Sequence, residues 1–162
     1  MVKLYQTENE RVYEKVKALL NTDEEIKRTK NGKPYIDGFE FSITHTGDTA
    51  LIAISDKPVG IDAEKLAKRK YDSVLKRFPE RELTEIYDTN RFLRHWVVKE
   101  AYIKMLGGTL AHDLKRIEYF GGDLFEKGKK LGCNIHCSSS GGLIYAICAQ
   151  REIPQNIEIV KI

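Results

Sequence analysis

The chain is expected to fold as an α+β protein. Three observations predict it: a helix-period apolar segment near the start, a block of β-like segments from residue 35 to 61, and a helical middle that gives way to glycine-punctuated strands. Strands grouped in blocks, rather than alternating with helices, argue against a doubly wound parallel sheet.

Each element has its own signal. Thr7 with Glu10 three residues later reads as a capping box, and Val12, Val16, Leu19 and Leu20 follow at helical spacing, which predicts a helix over roughly 8–20. Residues 21–34 are polar, carry positive charge and end in Asn-Gly-Lys-Pro, so they read as a loop. A short strand is expected at 35–36. Segments 41–44 and 50–55 are β-like and joined by His45-Thr46-Gly47-Asp48, which predicts a hairpin. Asp56-Lys57-Pro58 is a turn, and a strand runs from Val59 through Ile61 and beyond.

Tyr71, Val74, Leu75 and Phe78 are spaced for one helix, closed by Pro79. Asp88 is a suitable N-cap for a longer helix from about 89 to 106, stopped by Gly107-Gly108. Strands are expected at 117–120, 131–138 and 143–150, with glycine turns between. No internal repeat or linker is evident.

Composition narrows the function classes. The 162 residues suit one domain or two small halves sharing a core, and 41% hydrophobic with 31% charged residues is ordinary for a globular chain. No apolar run approaches the roughly 20 residues that span a bilayer, and the N-terminus lacks an apolar signal segment. Cys133, Cys137 and Cys148 are odd in number and clustered, which points to reduced thiols and a cytoplasmic location. Cys133, His136 and Cys137 do not make a closed zinc site, because alternate residues of one strand face opposite sides.

Net charge is +3, with basic runs at Lys27-Arg28-Lys30-Lys33 and Lys65-Lys68-Arg69-Lys70. A nucleic-acid footprint would be more basic and carry a motif, so a solvated face is expected for the second run and no nucleic-acid partner.

The stretch KPVGIDAEKL, residues 57–66, is the first unusual one. Asp62 and Glu64 stand two apart, so a strand presents both on one face, about 6.5 Å apart at the backbone. Either the strand has ended and both acids are solvated, or they converge and repel, which a hard cation such as Mg²⁺ would relieve. In RHWVVKEAYIKMLGG, residues 94–108, Glu100 and Lys104 lie four apart on one helix face. They are either an ordinary helical ion pair, or a third acid beside a cation and a point charge for a phosphate.

Taken together, GKPYI, FSITHTGDTALIAIS, VGIDAE and FLRHWVVKEAYIK, in that order across residues 32–104, resemble the 4′-phosphopantetheinyl transferases, the type that activates peptide synthetases and other carrier proteins. The resemblance implies two small pseudo-symmetric α+β halves, the first abbreviated: 1–58 with helix, basic loop and hairpin, and 59–162 carrying the metal site. It implies transfer of phosphopantetheine from coenzyme A to a serine of an apo-carrier protein, with Mg²⁺ on the pyrophosphate and 3′,5′-ADP leaving. By the same resemblance Asp62, Glu64 and Glu100 would hold the metal and Glu100 would also take the serine proton. Lys104 and Lys33 would meet the phosphates, His45 the 3′-phosphate, and Thr44 would stand where the family has serine. Arg28 and Lys30 would offer further phosphate contacts.

The departure is length, since only 58 residues precede Val59 where longer relatives have about 100. The motif order places the whole site in one chain, so a monomer is expected. Two other readings stay open: a Mg²⁺-dependent phosphodiesterase or pyrophosphatase acting on coenzyme A-like substrates, and a non-catalytic relative that binds coenzyme A or a carrier.

Overall fold

A computed structural model describes residues 1–67 and 70–162; Lys68 and Arg69, half of the second basic run, lie outside the described residues. The first elements are β1 (Lys3–Glu8), α1 (Val12–Leu20), β2 (Lys27–Arg28), β3 (Pro34–Tyr35), β4 (Glu40–Thr46), β5 (Thr49–Ser55) and β6 (Val59–Lys65). Then come α2 (Asp72–Leu75), α3 (Glu80–Leu83), α4 (Thr89–Leu106) and α5 (Leu110–Asp113). The last are β7 (Ile117–Phe120), β8 (Asp123–Glu126), β9 (Lys129–Lys130), β10 (Asn134–Ser140), β11 (Leu143–Ala149) and β12 (Ile159–Lys161). The α+β expectation holds.

Two sheets position everything else. One runs β12-β1-β5-β4 and the other β10-β11-β6, with β2-β3 and β7-β8-β9 as smaller additions. Ladders are antiparallel except β1 with β12, which run parallel with Leu4 opposite Ile159 and Gln6 opposite Lys161. Val59, Ile61 and Ala63 of β6 join Leu4, Leu51 and Ile147 in an apolar cluster that spans both sheets. The alternate residues of β6, Gly60 and Asp62, turn toward α4, which packs across β6 and β11.

Several local expectations are corrected. Residues 3–8 form a strand, so Thr7 sits in the ladder opposite Ala50 and cannot cap a helix that starts at Val12 after a 3₁₀ turn, Asn9–Arg11. The segment read as a loop contains β2, paired with β3. The hairpin strands run further than expected, leaving a two-residue loop at Gly47-Asp48 with Gly47 at φ +62, so His45 lies in β4 rather than in the turn. Residues 71–78 hold one helical turn, and Pro79 starts α3 as well as closing the segment. Pairing of β10 begins only at Asn134, and β8 pairs with β7.

The long helix is as the sequence predicts. Asp88 Oδ1 accepts from Arg91 N at 2.7 Å, and Gly107 ends the helix at φ +67. Leu93, Val97 and Ala101 are fully buried. A second, ionic face packs against α3: buried Glu82 accepts from Lys99 Nζ at 2.7 Å and contacts His95 Nδ1 at 2.9 Å. The Lys99 ammonium also lies 3.9 Å from the centre of the Phe78 ring. Among the described residues, no helix is long and apolar enough to cross a membrane.

Candidate active site

The acid on β6 is taken out of water by the elements around it. Asp62 is opposite Ala146 of β11 and only 4% exposed. Its Oδ1 accepts from Thr44 Oγ1 on β4 at 3.0 Å and from Lys104 Nζ on α4 at 2.7 Å. Its Oδ2 is buried and finds no hydrogen-bond partner among the described residues. Burial raises the carboxyl above its ordinary range, Lys104 and Thr44 pull it back, and Glu64 adds to the rise.

Glu100 lies one turn before Lys104 on α4. Its carboxyl is pushed up to about 8, first by burial and next by the charge of Asp62; Lys104 opposes the shift and Glu64 adds to it. Glu64, opposite Ile144 at the end of the same strand, therefore belongs to this electrostatic group. Asp62, Thr44 and Lys104 are joined by hydrogen bonds, and Glu100 and Glu64 by charge.

The positive residues divide into two places. His45 is exposed beside Thr44, and its imidazole is drawn below its usual range by partial burial, then by the charges of Lys104 and Arg28. Arg28 is held over the Tyr13 ring and donates to Tyr13 Oη at 2.7 Å and to Gly32 O at 2.9 Å. Lys33 stands apart, at the C-terminal end of α4, where its Nζ donates to Met105 O at 3.4 Å. Asn31 Nδ2 donates to Gly107 O at 2.8 Å, so the 31–33 turn closes the helix end and satisfies its carbonyls. Burial lowers the Lys33 ammonium, with Glu40 opposing. Beside it lies a cavity of about 560 Å³ lined by Pro34, Tyr35, Phe39, Pro58 and Met105. Lys30 is exposed.

Ser42 is a residue that sequence reasoning missed. Its hydroxyl accepts from Ile61 N at 3.1 Å, tying β4 to β6 one step from the Thr44–Asp62 bond. The signal was present: two hydroxyl residues two apart on one strand face, inside an otherwise apolar run.

The donor chemistry suits a divalent cation: the charge of Asp62 raises Glu100, Glu64 raises both, and Asp62 carries an orphaned buried oxygen. Among the described residues, no three acidic, histidine or cysteine side chains are drawn together as a preassembled cluster.

Fold and site together define an α+β protein with a carboxyl–lysine centre between a strand and a helix. Residues 58–127, which contain Asp62, Glu64, Glu100 and Lys104, match the profile of the 4′-phosphopantetheinyl transferase superfamily, and the resemblance read from the motifs is thereby shown. The chain is similar to the L-aminoadipate-semialdehyde dehydrogenase-phosphopantetheinyl transferase of Xenopus laevis, 32% identical over 117 residues, covering 58% of this chain and 39% of that protein. It is also similar to the 4′-phosphopantetheinyl transferase psf-1 of Bacillus pumilus, 35% identical over 99 residues, covering 52% and 40%. A 4′-phosphopantetheinyl transferase of Bacillus subtilis is 33% identical over 89 residues, covering 49% and 40%. The chain spans about two fifths of the length of the curated relatives it matches.

Proposed function

We propose that this protein transfers the 4′-phosphopantetheine group of coenzyme A to a serine hydroxyl of an apo-carrier protein. The observation that carries the reading is the buried Asp62, paired with Lys104 and charge-coupled to Glu100, inside the segment that matches the superfamily. In this reading the serine oxygen attacks the β-phosphorus of coenzyme A. The bond from that phosphorus to the bridging oxygen breaks, and 3′,5′-ADP leaves with the electron pair. Glu100 takes the serine proton, as a carboxylate at the edge of a metal site can do directly or through water. Lys104 stabilises the negative charge that builds on the phosphates.

Asp62, Glu64 and Glu100 are the residues that would hold Mg²⁺, which when bound would neutralise the pyrophosphate. Arg28 extends the positive field outward from Lys104, and His45 beside Thr44 offers a ring N–H toward a 3′-phosphate. The cavity beside Lys33 is large enough for a nucleoside and is where we place that end of the coenzyme. A cytoplasmic monomer, with halves 1–58 and 59–162, completes the proposal.

The test is mass spectrometry of a panel of apo-carrier proteins incubated with protein, coenzyme A and Mg²⁺. One carrier should gain a single phosphopantetheine, and 3′,5′-ADP should appear only when a carrier is present. EDTA, Asp62→Ala and Glu100→Ala should each abolish the gain while the circular dichroism spectrum of both variants stays native. Coenzyme A cleavage without a carrier would replace this reading with a phosphodiesterase.

A further inference from the structure

Gly60 lies on β6 two residues before Asp62, and its φ is outside the left-handed region, so conformational freedom does not explain the glycine. Space does. A methyl group at Gly60 would lie 1.9 Å from Ala101 O and 2.5 Å from Met105 N. Both are backbone atoms of α4, so no side-chain rotation relieves the clash. Ala101 O and Met105 N are partners of one helical turn, the i and i+4 groups of an α-helical bond. Glu100 and Lys104, the residues just before each of them, ride on that same turn.

The strand and helix backbones thus touch directly at Gly60, and the site lies just past the point of contact. Bringing the shortest contact out to 3.0 Å, the limit for real Cβ atoms, moves the helix by about 1.1 Å. The four-carbon stem of Lys104 is long enough to follow Asp62 across that gap. Glu100 is shorter by two methylene groups, so its approach to Asp62 is fixed by the backbone separation.

We infer that Gly60 is a positioning residue of the site, setting the gap between β6 and α4 and with it the spacing of the Asp62 and Glu100 carboxyl groups. This rests on the functional reading above for its effect on turnover. Its effect on divalent-cation affinity is independent of which substrate is processed.

Gly60→Ala and the control Gly108→Ala separate positioning from general destabilisation. At Gly108 an added methyl meets the tip of the Asp113 side chain, 2.3 Å from Oδ2, and its nearest neighbours include none of Asp62, Glu64, Glu100 and Lys104. Both variants should melt below wild type. Mn²⁺ affinity, read in the presence of coenzyme A from the electron paramagnetic resonance signal of free Mn²⁺, should weaken about tenfold or more in Gly60→Ala alone. The turnover number of Gly60→Ala should fall about 100-fold with a much smaller change in the Michaelis constant for coenzyme A. Gly108→Ala should keep wild-type values of all three.

Wild-type Mn²⁺ affinity and turnover in Gly60→Ala would overturn the inference, as would equal losses in both variants. A Gly60→Ala chain whose circular dichroism shows no native fold would also overturn it, since the glycine would then serve folding and not spacing. Wild-type protein that binds no Mn²⁺ under these conditions overturns it too. If Mn²⁺ binding is lost as expected but wild type modifies no carrier, the positioning role stands and the transferase reading falls.

Discussion

Lys104 Nζ reaches from α4 to Asp62 Oδ1 on β6 at 2.7 Å, linking residues 42 apart in sequence. Sequence spacing alone suggested a weak pair with Glu100 on the same helix. The observed partner is a carboxyl 6% exposed, so the interaction bridges two elements and neutralises a buried acid. Its stability consequence is correspondingly larger.

Lys104→Met should therefore cost about 2 kcal/mol in metal-free protein. This is less than the 3–5 kcal/mol typical of fully buried pairs, because Lys104 is itself 31% exposed. Asp62→Asn/Lys104→Met should cost less than the sum of the single changes, with a coupling of about 1–2 kcal/mol in urea unfolding with EDTA present. Additive losses would mean the two groups do not stabilise each other. Kinetically, Lys104→Ala should raise the Michaelis constant for coenzyme A and lower turnover, and Lys104→Arg should recover part of both.

The ionic face between α3 and α4 gives a second prediction. Glu82 and Lys99 are both 0% exposed and 2.7 Å apart, with Glu82 also 2.9 Å from His95. Lys99→Met strands a buried carboxylate, and a loss of about 3–5 kcal/mol is expected. Glu82→Gln/Lys99→Met removes both charges and should recover much of that loss. Chemical denaturation of the two variants decides the matter; a Lys99→Met chain as stable as wild type would show that the pair contributes nothing.

His136 sets an acid-side dependence. Its Nε2 is buried without a partner among the described residues, and burial lowers the imidazole from its ordinary 6.5. With the folded value below the unfolded one, the unfolded chain binds the extra proton first as pH falls. Stability is then fully present above 6.5 and is lost as pH drops from 6.5 toward the lower folded value. Melting temperatures across that range should fall less steeply in His136→Phe than in wild type. Parallel curves would show that this histidine does not contribute.

Long, strongly patterned elements were legible because one local rule decided each. The α4 limits followed from Asp88 and Gly107, and the β4–β5 hairpin from β-rich runs flanking a glycine. Short elements were not legible, because distant pairing decides them. KLYQTE is a strand only because β5 lies beside it, and that pairing overrides the helix-capping signal of Thr7 and Glu10. The three residues of β12 carry no local signal at all.

In the site, type and spacing left Asp62, Glu100 and Lys104 open between ordinary surface groups and a cation centre, and only the ordered set of motifs singled them out. The contact between Lys104 and Asp62 could not be read from them, since it depends on how closely a helix lies on a strand. The same holds for Glu82, His95 and Lys99, whose partnership is created by the packing of α3 on α4. Gly60 was part of a quoted motif, yet its reason is visible only against the helix backbone.

The β1–β12 ladder has a mechanical consequence. These two strands run parallel, with residue 3 entering at one end of the ladder and residue 161 leaving at the other. Tension applied through the chain ends therefore pulls the strands lengthwise past each other. Their hydrogen bonds are loaded together in shear rather than opened one after another like a zip. A polyprotein stretched from its ends should resist until β12 slides off β1, and only then should the four-stranded sheet give way.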